Sequence, residues 1–404
     1  METPFARRFA VRFGAVASVL FFFPSPLDEV PKLGDTVSEW VAMAWLPLVK
    51  LAGRALGTAE PTHNLSGSGD TLFDWLRLMC VLLLAVVLGL AWAAADKRTP
   101  QQKLEDLLLD YLRLMLMIAM FTYGWAKVTL SQFPELVEFR LSQTYAESSP
   151  MGLLWRFMAF SPSYQRFAGG LEVLSALLLI SRRTATLGAL VAMGVMSNVV
   201  MLNFCFDVPV KNYSAILLLT AAVLAAPSAK RLFQALVLGE AVGAADWQPK
   251  YLATGNLRWV RMAPFGVCAL LSLAAFMPNE ELEEMRHPKG PFNGEYTVVD
   301  QTAGARAQAV SLTDWAFKLR PAEGPLAVWS LKQSAEKNLL TLGSFKDPAK
   351  TFELKFEPAG DGKFRVSGEM NEAPLDLLVS RVALQKGNLL TRGFHWVSEF
   401  PVNN

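Results

Sequence analysis

The stretch Asp110–Leu130, DYLRLMLMIAMFTYGWAKVTL, decides how this chain is read. It is apolar enough to sit in a bilayer, yet it carries Asp110, Arg113 and Lys127. About 20 apolar residues suffice for one helical crossing. Arg113 and Lys127 stand fourteen residues apart, which returns them to nearly the same helix face. The uncharged run between them, LMLMIAMFTYGWA, is roughly 20 Å long as a helix. The two cations therefore belong to opposite rims of one crossing and do not pair with each other.

Outward from that segment, composition agrees. Of 404 residues, 52% are hydrophobic and only 18% charged, where soluble domains carry about a quarter charged residues. Seven apolar cores can be marked, at 9–27, 72–95, 107–129, 165–181, 184–205, 212–228 and 260–277. The first is cut short by Pro24 and Pro26, and is read as an uncleaved helix because PSPLDEV lacks a small-x-small cleavage pattern. The net charge of +2 and the lack of a basic run give no sign of nucleic acid as a partner. Cys80, Cys205 and Cys268 lie in or beside apolar segments, and His63, His287 and His395 are scattered, so neither a disulfide framework nor a metal site is expected. Cys205 reads as a small buried hydrophobe.

Basic residues set the expected orientation. Arg7, Arg8 and Arg12, then Lys97, Arg98 and Lys103, then Arg182 and Arg183, then Lys230, Arg231, Lys250, Arg258 and Arg261 fall on one side of seven crossings. The predicted placement is a multi-pass bacterial inner-membrane protein, N-terminus cytoplasmic and C-terminus periplasmic or extracellular. Residues 1–104 are expected to hold N-terminal helices and an interfacial loop, with TVSEWVAMAWLPLVKLAGRALG as an amphipathic helix. Residues 105–232 form a four-helix core, and 233–277 a cytoplasmic loop with the last crossing. Residues 131–164 are expected to include a short helix bounded by turns.

Residues 278–404 have no long apolar run. Short strand-like pieces alternate there with turns: EYTVVDQ, DWAFKLR, LAVWSLKQ, NLLTLGSF, TFELKFE, FRVSGEM, LDLLVSRVAL and NLLTRGFHWV. PAGDGK between TFELKFE and FRVSGEM signals a hairpin. An extracytoplasmic antiparallel β-sandwich or barrel is predicted.

Polar residues within the spans are the candidate site. Glu172 lies roughly 10 Å inside its span and Asn198 at a similar level on the next, while Lys127 is about 5 Å from its end. An ionised carboxylate facing lipid costs several kcal/mol, so Glu172 must face protein, water or a cation, or be protonated. Gly169 and Gly170 would let a neighbouring helix approach it. Lys127, Glu172 and Asn198 are read as one outward-facing pocket, with Asp74, Arg77, Asp110, Arg113, Asn203, Asp207 and Lys211 as secondary candidates. Each has a structural alternative: Lys127 and Lys211 can snorkel, Asp110 with Arg113 and Asp74 with Arg77 can be local i, i+3 pairs, and Glu172 can be a structural hydrogen bond. In SGSGDT, Asp70 reads as the N-cap of the second span.

Arg113, YGWAKV with Gly124 and Lys127, GGLEVLSALLLISRRTATLGAL with Glu172, and MSNVVMLNF with Asn198 together resemble the DoxX-like membrane proteins. SGSGDT, ESSPMGLLW, NFCFDVPVKNYS and RGFHWVSEFPVN resemble a larger variety of that family, with extra N-terminal helices and a C-terminal β domain. The resemblance covers about Ser66 to Leu232 and the C-terminus. It implies a four-helix core and kinship with quinone-linked membrane subunits, so a quinone is the cofactor it suggests. Thiosulfate oxidation does not carry over, since the chain has no paired reactive cysteine. The leading expectation is a pocket that binds a quinone or a membrane lipid in a redox or envelope process. The alternatives are a non-enzymatic scaffold whose β domain grips a protein partner and, third, a transporter.

Overall fold

In the computed structural model, Asp110–Val128 is the latter part of a 28-residue helix, α4, Gln101–Val128, with Thr129 as its C-cap. Leu130, in the left-handed region at φ 65°, ends the helix direction. The structure describes residues 4–30, 33–63, 68–96, 99–134, 136, 141, 145, 148–243, 263–270, 290–304, 306–313, 316–324, 326–334, 336–344, 350–370 and 373–382. The chain divides into two units: Met1–Pro134 with Ser149–Leu282, and Glu135–Ser148 with Glu283–Asn404.

In the first unit α4 is joined by α1 (Phe5–Phe22), α2 (Leu33–Ala55), α3 (Leu72–Ala95), α5 (Pro150–Phe160), α6 (Pro162–Ile180), α7 (Ala185–Cys205), α8 (Lys211–Ala225) and α9 (Ala229–Leu236). Residues 263–270 are also helical. Among the described residues, four helices are long and apolar enough to cross a bilayer: α3, α4, α7, and α8 continuing to Leu236. The count of seven is thus not supported. Three arginines in its 18 residues disqualify α1, and the polar start PSYQR together with Glu172 dilutes α6. The last expected crossing, 260–277, lies mostly outside the described residues. The amphipathic helix expected after the first span is α2, which packs Ala42 and Val49 against Phe73 and Leu76 of α3. The short helix expected within 131–164 is α5.

Helix ends show where sequence reading needs correction. Asp70 does not cap α3. Thr71 does, in a capping box with Asp74: Thr71 Oγ1 accepts from Asp74 N at 3.2 Å and Thr71 N donates to Asp74 Oδ2 at 3.0 Å. Asp70 reaches across the bundle instead and accepts from Lys211 N at 2.6 Å and Asn212 N at 3.0 Å, satisfying the free N–H groups of α8. Gly69 N to Pro209 O at 2.8 Å and Asn212 Nδ2 to Gly69 O at 3.0 Å complete the tie. Cys205, expected to be buried, is exposed, because it sits on the outer face of the last turn of α7.

The second unit is a closed eight-stranded antiparallel barrel with consecutive strands paired and β1 returning to β8. Of the two predicted β architectures it is the barrel. The strands are β1 (Gly294–Ala303), β2 (Ala307–Leu312), β3 (Ala316–Pro321), β4 (Ala327–Ser334), β5 (Leu339–Gly343), β6 (Thr351–Gly360), β7 (Lys363–Met370) and β8 (Ala373–Arg381). The PAGDGK hairpin forms with Asp361 at φ 50° and Gly362 at φ 70°, the signature of a type I′ turn. Strand β2, AQAVSL, escapes sequence reading because only Val310 and Leu312 are bulky and apolar. NLLTRGFHWV lies outside the described residues. Inward residues such as Tyr296, Phe317, Leu340, Phe356 and Leu377 fill the interior.

Two predictions follow from these contacts. Asp70→Ala should lower stability by about 1 kcal/mol, the usual cost of a lost N-cap, read as a fall in thermal midpoint in detergent; an unchanged midpoint would refute the cross-bundle cap. In the barrel, Arg365 Nε donates to Asp376 Oδ1 at 2.8 Å and Thr302 Oγ1 to Asp376 Oδ2 at 2.8 Å. The Arg365 bond first, and the Thr302 bond second, hold the Asp376 carboxyl below its ordinary 3.8. A depressed folded value means the stabilisation is whole above 3.8 and is lost as pH falls through the lower folded value. Asp376→Asn should therefore lower the barrel's unfolding midpoint at neutral pH, with the gap to the parent closing in strong acid.

Candidate functional site

The site begins with two glycines. At Gly124 of α4 an added Cβ would lie 2.9 Å from both Val173 Cγ2 and Val173 N, and at Gly169 of α6 2.6 Å from Gly124 O and Lys127 Cβ. No larger side chain fits at either position, so the backbones of α4 and α6 touch there. Gly170, the other half of the expected glycine pair, faces open space. Lys127 and Glu172 each follow their contact glycine by three residues, close to one turn, and so lie on the same touching faces.

Lys127 Nζ donates to Glu172 Oε2 at 2.8 Å and approaches Tyr123 O at 3.4 Å. Lys127 is 7% exposed and Glu172 2%. Snorkelling is thus not what Lys127 does. Removing either charge from water costs several kcal/mol, and only mutual pairing offsets much of that.

The pair forms part of the wall of a cavity of about 880 Å³ between α4, α5, α6, α7 and α8, within the size range of small-molecule sites. Most of its lining is apolar and includes Met120, Phe133, Leu154, Trp155, Met158 and Leu202. Phe133 and the α5 residues Leu154 and Met158 pack with Val208 across one end. The polar groups on the wall are few. Asn203 Nδ2 donates to Ser214 Oγ at 3.0 Å. Gln132 Oε1 is buried and has no hydrogen-bond partner. Asn198 lines the cavity, is exposed, and makes no hydrogen bond with the ion pair.

The secondary candidates separate into groups. Lys211 lies at the same end of the bundle, 2.8 Å from Asp207 and 3.8 Å from Asp70. Asp74 is spent in its capping box, while Arg77 donates to Phe21 O at 3.1 Å and lies over Trp45, so the local Asp74–Arg77 pair is replaced by separate partners. Asp110 and Arg113 do pair, at 3.3 Å, at the other end of α4. Arg182 joins them at 2.8 Å from Asp110 and 3.6 Å from Asp106. Sequence reading used Arg182 only for orientation. Its position just beyond α6, level with the start of an antiparallel α4, was the available signal. Gln132 was missed because a loop residue shows no periodicity that assigns it a face, and Tyr123 and the α5 aromatics because an aromatic side chain on an apolar helix reads as core or interface. Among the described residues no three His, Cys, Asp or Glu side chains gather as metal ligands.

No family model matches the chain. No solved structure matches it. It is 38% identical over 112 residues to the Bacillus subtilis (strain 168) protein called Uncharacterized protein YwoB, an alignment spanning 28% of this chain and 71% of that one.

Breaking the ion pair gives a direct test of its energetics. Lys127→Met or Glu172→Met alone should each cost about 3–5 kcal/mol, since each strands a buried charge, while the double variant should recover most of that loss. Thermal unfolding of the four proteins in one detergent measures the cycle, and additive losses would show that the two side chains do not interact.

Proposed function

We propose, from the premise that the chain belongs to one family with YwoB of Bacillus subtilis, that it is a DoxX-like integral membrane protein whose cavity binds a quinone or a lipid. The observation that carries this reading is the buried Lys127–Glu172 pair on the wall of an otherwise apolar cavity. An apolar volume with a few convergent polar groups is the usual form of a small-molecule site. Structural glue between α4 and α6 would need no empty space beside it. Glu172 borders that space as well as Lys127, so its carboxylate stands where it can exchange a proton with a bound carbonyl or hydroxyl.

The finer topology belongs to the same proposal. We read α1 and α6 as crossing with the four apolar helices, because α1 packs along α3 and α6 along α4 in the most extensive helix contacts of the bundle. Arg12, nearly fully buried, is neutralised by Asp96 at 3.3 Å and bonded to Gln101 at 3.0 Å, which makes its burial tolerable. With the basic loops cytoplasmic, the cavity end of the bundle faces outward in a bacterial inner membrane and the barrel lies outside. A quinone occupant would place the protein in a redox process, and a lipid occupant in envelope upkeep. The scaffold alternative has less support. The barrel's ladder is closed and its interior filled, so among the described residues it presents no free strand edge.

Glu172→Gln keeps the shape of the side chain and removes its charge. Titrating decylubiquinone into the purified protein should show about ten-fold weaker binding for that variant, with its folded helical content retained. Equal binding by both proteins would sink the functional role of Glu172.

A further inference from the structure

Part of the cavity lining is exposed, and its position bears on what can enter. Helices α6 and α7 form a hairpin that is tight at its turn. A Cβ at Gly188 would lie 3.0 Å from Leu178 Cβ, and Ser175 Oγ donates to Gly188 O at 3.1 Å. Towards their other ends the cavity lies against both helices. Among its lining residues, Phe157 of α5 and Phe167 of α6 are 57% and 62% exposed, and Gly194 and Asn198 of α7 are exposed as well. With Tyr164 in the first turn of α6, 44% exposed, they are the part of the lining that reaches the surface, and Gly194 with Asn198 is the part of it on α7.

The α7 part sits at membrane depth. Counting back from Cys205, Asn198 and Gly194 lie roughly 10 and 16 Å along the helix, inside a hydrocarbon layer of about 30 Å. The outward neighbours on the same helices, Leu174, Leu177, Leu187, Met201 and Phe204, are exposed apolar side chains suited to acyl chains. The Asn198 amide makes no hydrogen bond with a described residue, which is costly at that depth unless a ligand supplies one.

The polar end of the cavity carries no net charge. Lys127 and Glu172 pair at 2.8 Å, and two polar groups on the wall without a bond to a described residue, Gln132 Oε1 and the Asn198 amide, are neutral. An anionic headgroup would find no uncompensated cation there, whereas a hydroxyl or carbonyl head could bond without upsetting the pair. We propose that the cavity is loaded sideways from the bilayer, past Gly194 and Asn198 between α6 and α7, by an uncharged amphiphile with a long apolar tail. This rests on the reading of the cavity as a binding site and adds the access route and the charge class of its occupant.

Two glycines make the test. A Cβ on Gly194 meets nothing within 4 Å, so a large side chain there can occupy the proposed entrance without displacing the fold. Gly170 is equally open but does not line the cavity. The parent chain, Gly194→Phe and Gly170→Phe would be placed in phosphatidylcholine nanodiscs. Each would be offered decylubiquinone, farnesol, dioleoylglycerol or dioleoylphosphatidylglycerol, with bound copies counted by native mass spectrometry. One or more of the three neutral probes should bind the parent and Gly170→Phe one to one, with uptake by Gly194→Phe slowed about ten-fold. Which neutral probe binds distinguishes a quinone, a prenol and an acylglycerol. Equal uptake by Gly194→Phe would overturn the side route while leaving the binding site intact. One-to-one binding of the phosphatidylglycerol in competition with the neutral probes would overturn the charge class. Binding of no probe by the parent would overturn the cavity reading itself, and this inference with it.

Discussion

The backbone contact between α4 and α6 at Gly124 and Gly169 is the constraint on which the helical unit depends. An added methyl at Gly169 would lie 2.6 Å from Gly124 O, so the approach is as close as two helices permit. That closeness brings the stems of Lys127 and Glu172 within reach and leaves a 2.8 Å bond between their charged ends. Glycine contact and ion pair are therefore one device. The glycines set the distance, and the pair makes a close but polar interface tolerable in an apolar setting.

Around that contact the other charged residues act as ties between helix ends. Asp70 satisfies the free N–H groups of α8 from the chain just before α3. Asp106, Asp110, Arg113 and Arg182 hold the opposite end of α4 to the start of α7, with Arg113 stacked 4.4 Å over the Phe265 ring. Arg12 joins α1 to the segment leading into α4 through Asp96 and Gln101. Among the described residues of this unit, buried Arg12, Arg113 and Glu172 each have an opposite charge within 3.3 Å, as low-dielectric burial demands. Both ends of the bundle are thereby tied, and the cavity lies towards the end that Asp70 holds.

The barrel follows a different rule. Its strands alternate inward and outward residues, and joining β1 to β8 removes the free edges a sheet would expose. Its interior is filled by aromatic and branched side chains, such as the Phe356 and Phe364 rings 4.9 Å apart. Its polar interactions include exposed ones, as in the Arg365–Asp376 pair across β7 and β8, and buried ones, as where Thr313 Oγ1 donates to Ala316 O at 3.2 Å.

Much of this was legible in the sequence because it depends on neighbours along the chain. Apolar runs of span length gave most of the helices, alternation and the Asp-Gly turn gave most of the strands, and burial cost marked Glu172 as a residue that must find protein, water or a cation unless protonated. The i, i+3 pair of Asp110 and Arg113 was readable for the same reason. The tertiary structure alone decided which distant residues meet. Asp70 was assigned to its own helix because a local cap is the nearest solution, and only the fold brings it to α8. The number of helices that qualify as crossings, the closure of the sheet into a barrel, and the cavity beside the ion pair likewise depend on contacts between segments far apart in sequence. Local propensity carries no information about such distances, and the packing of backbones against one another does.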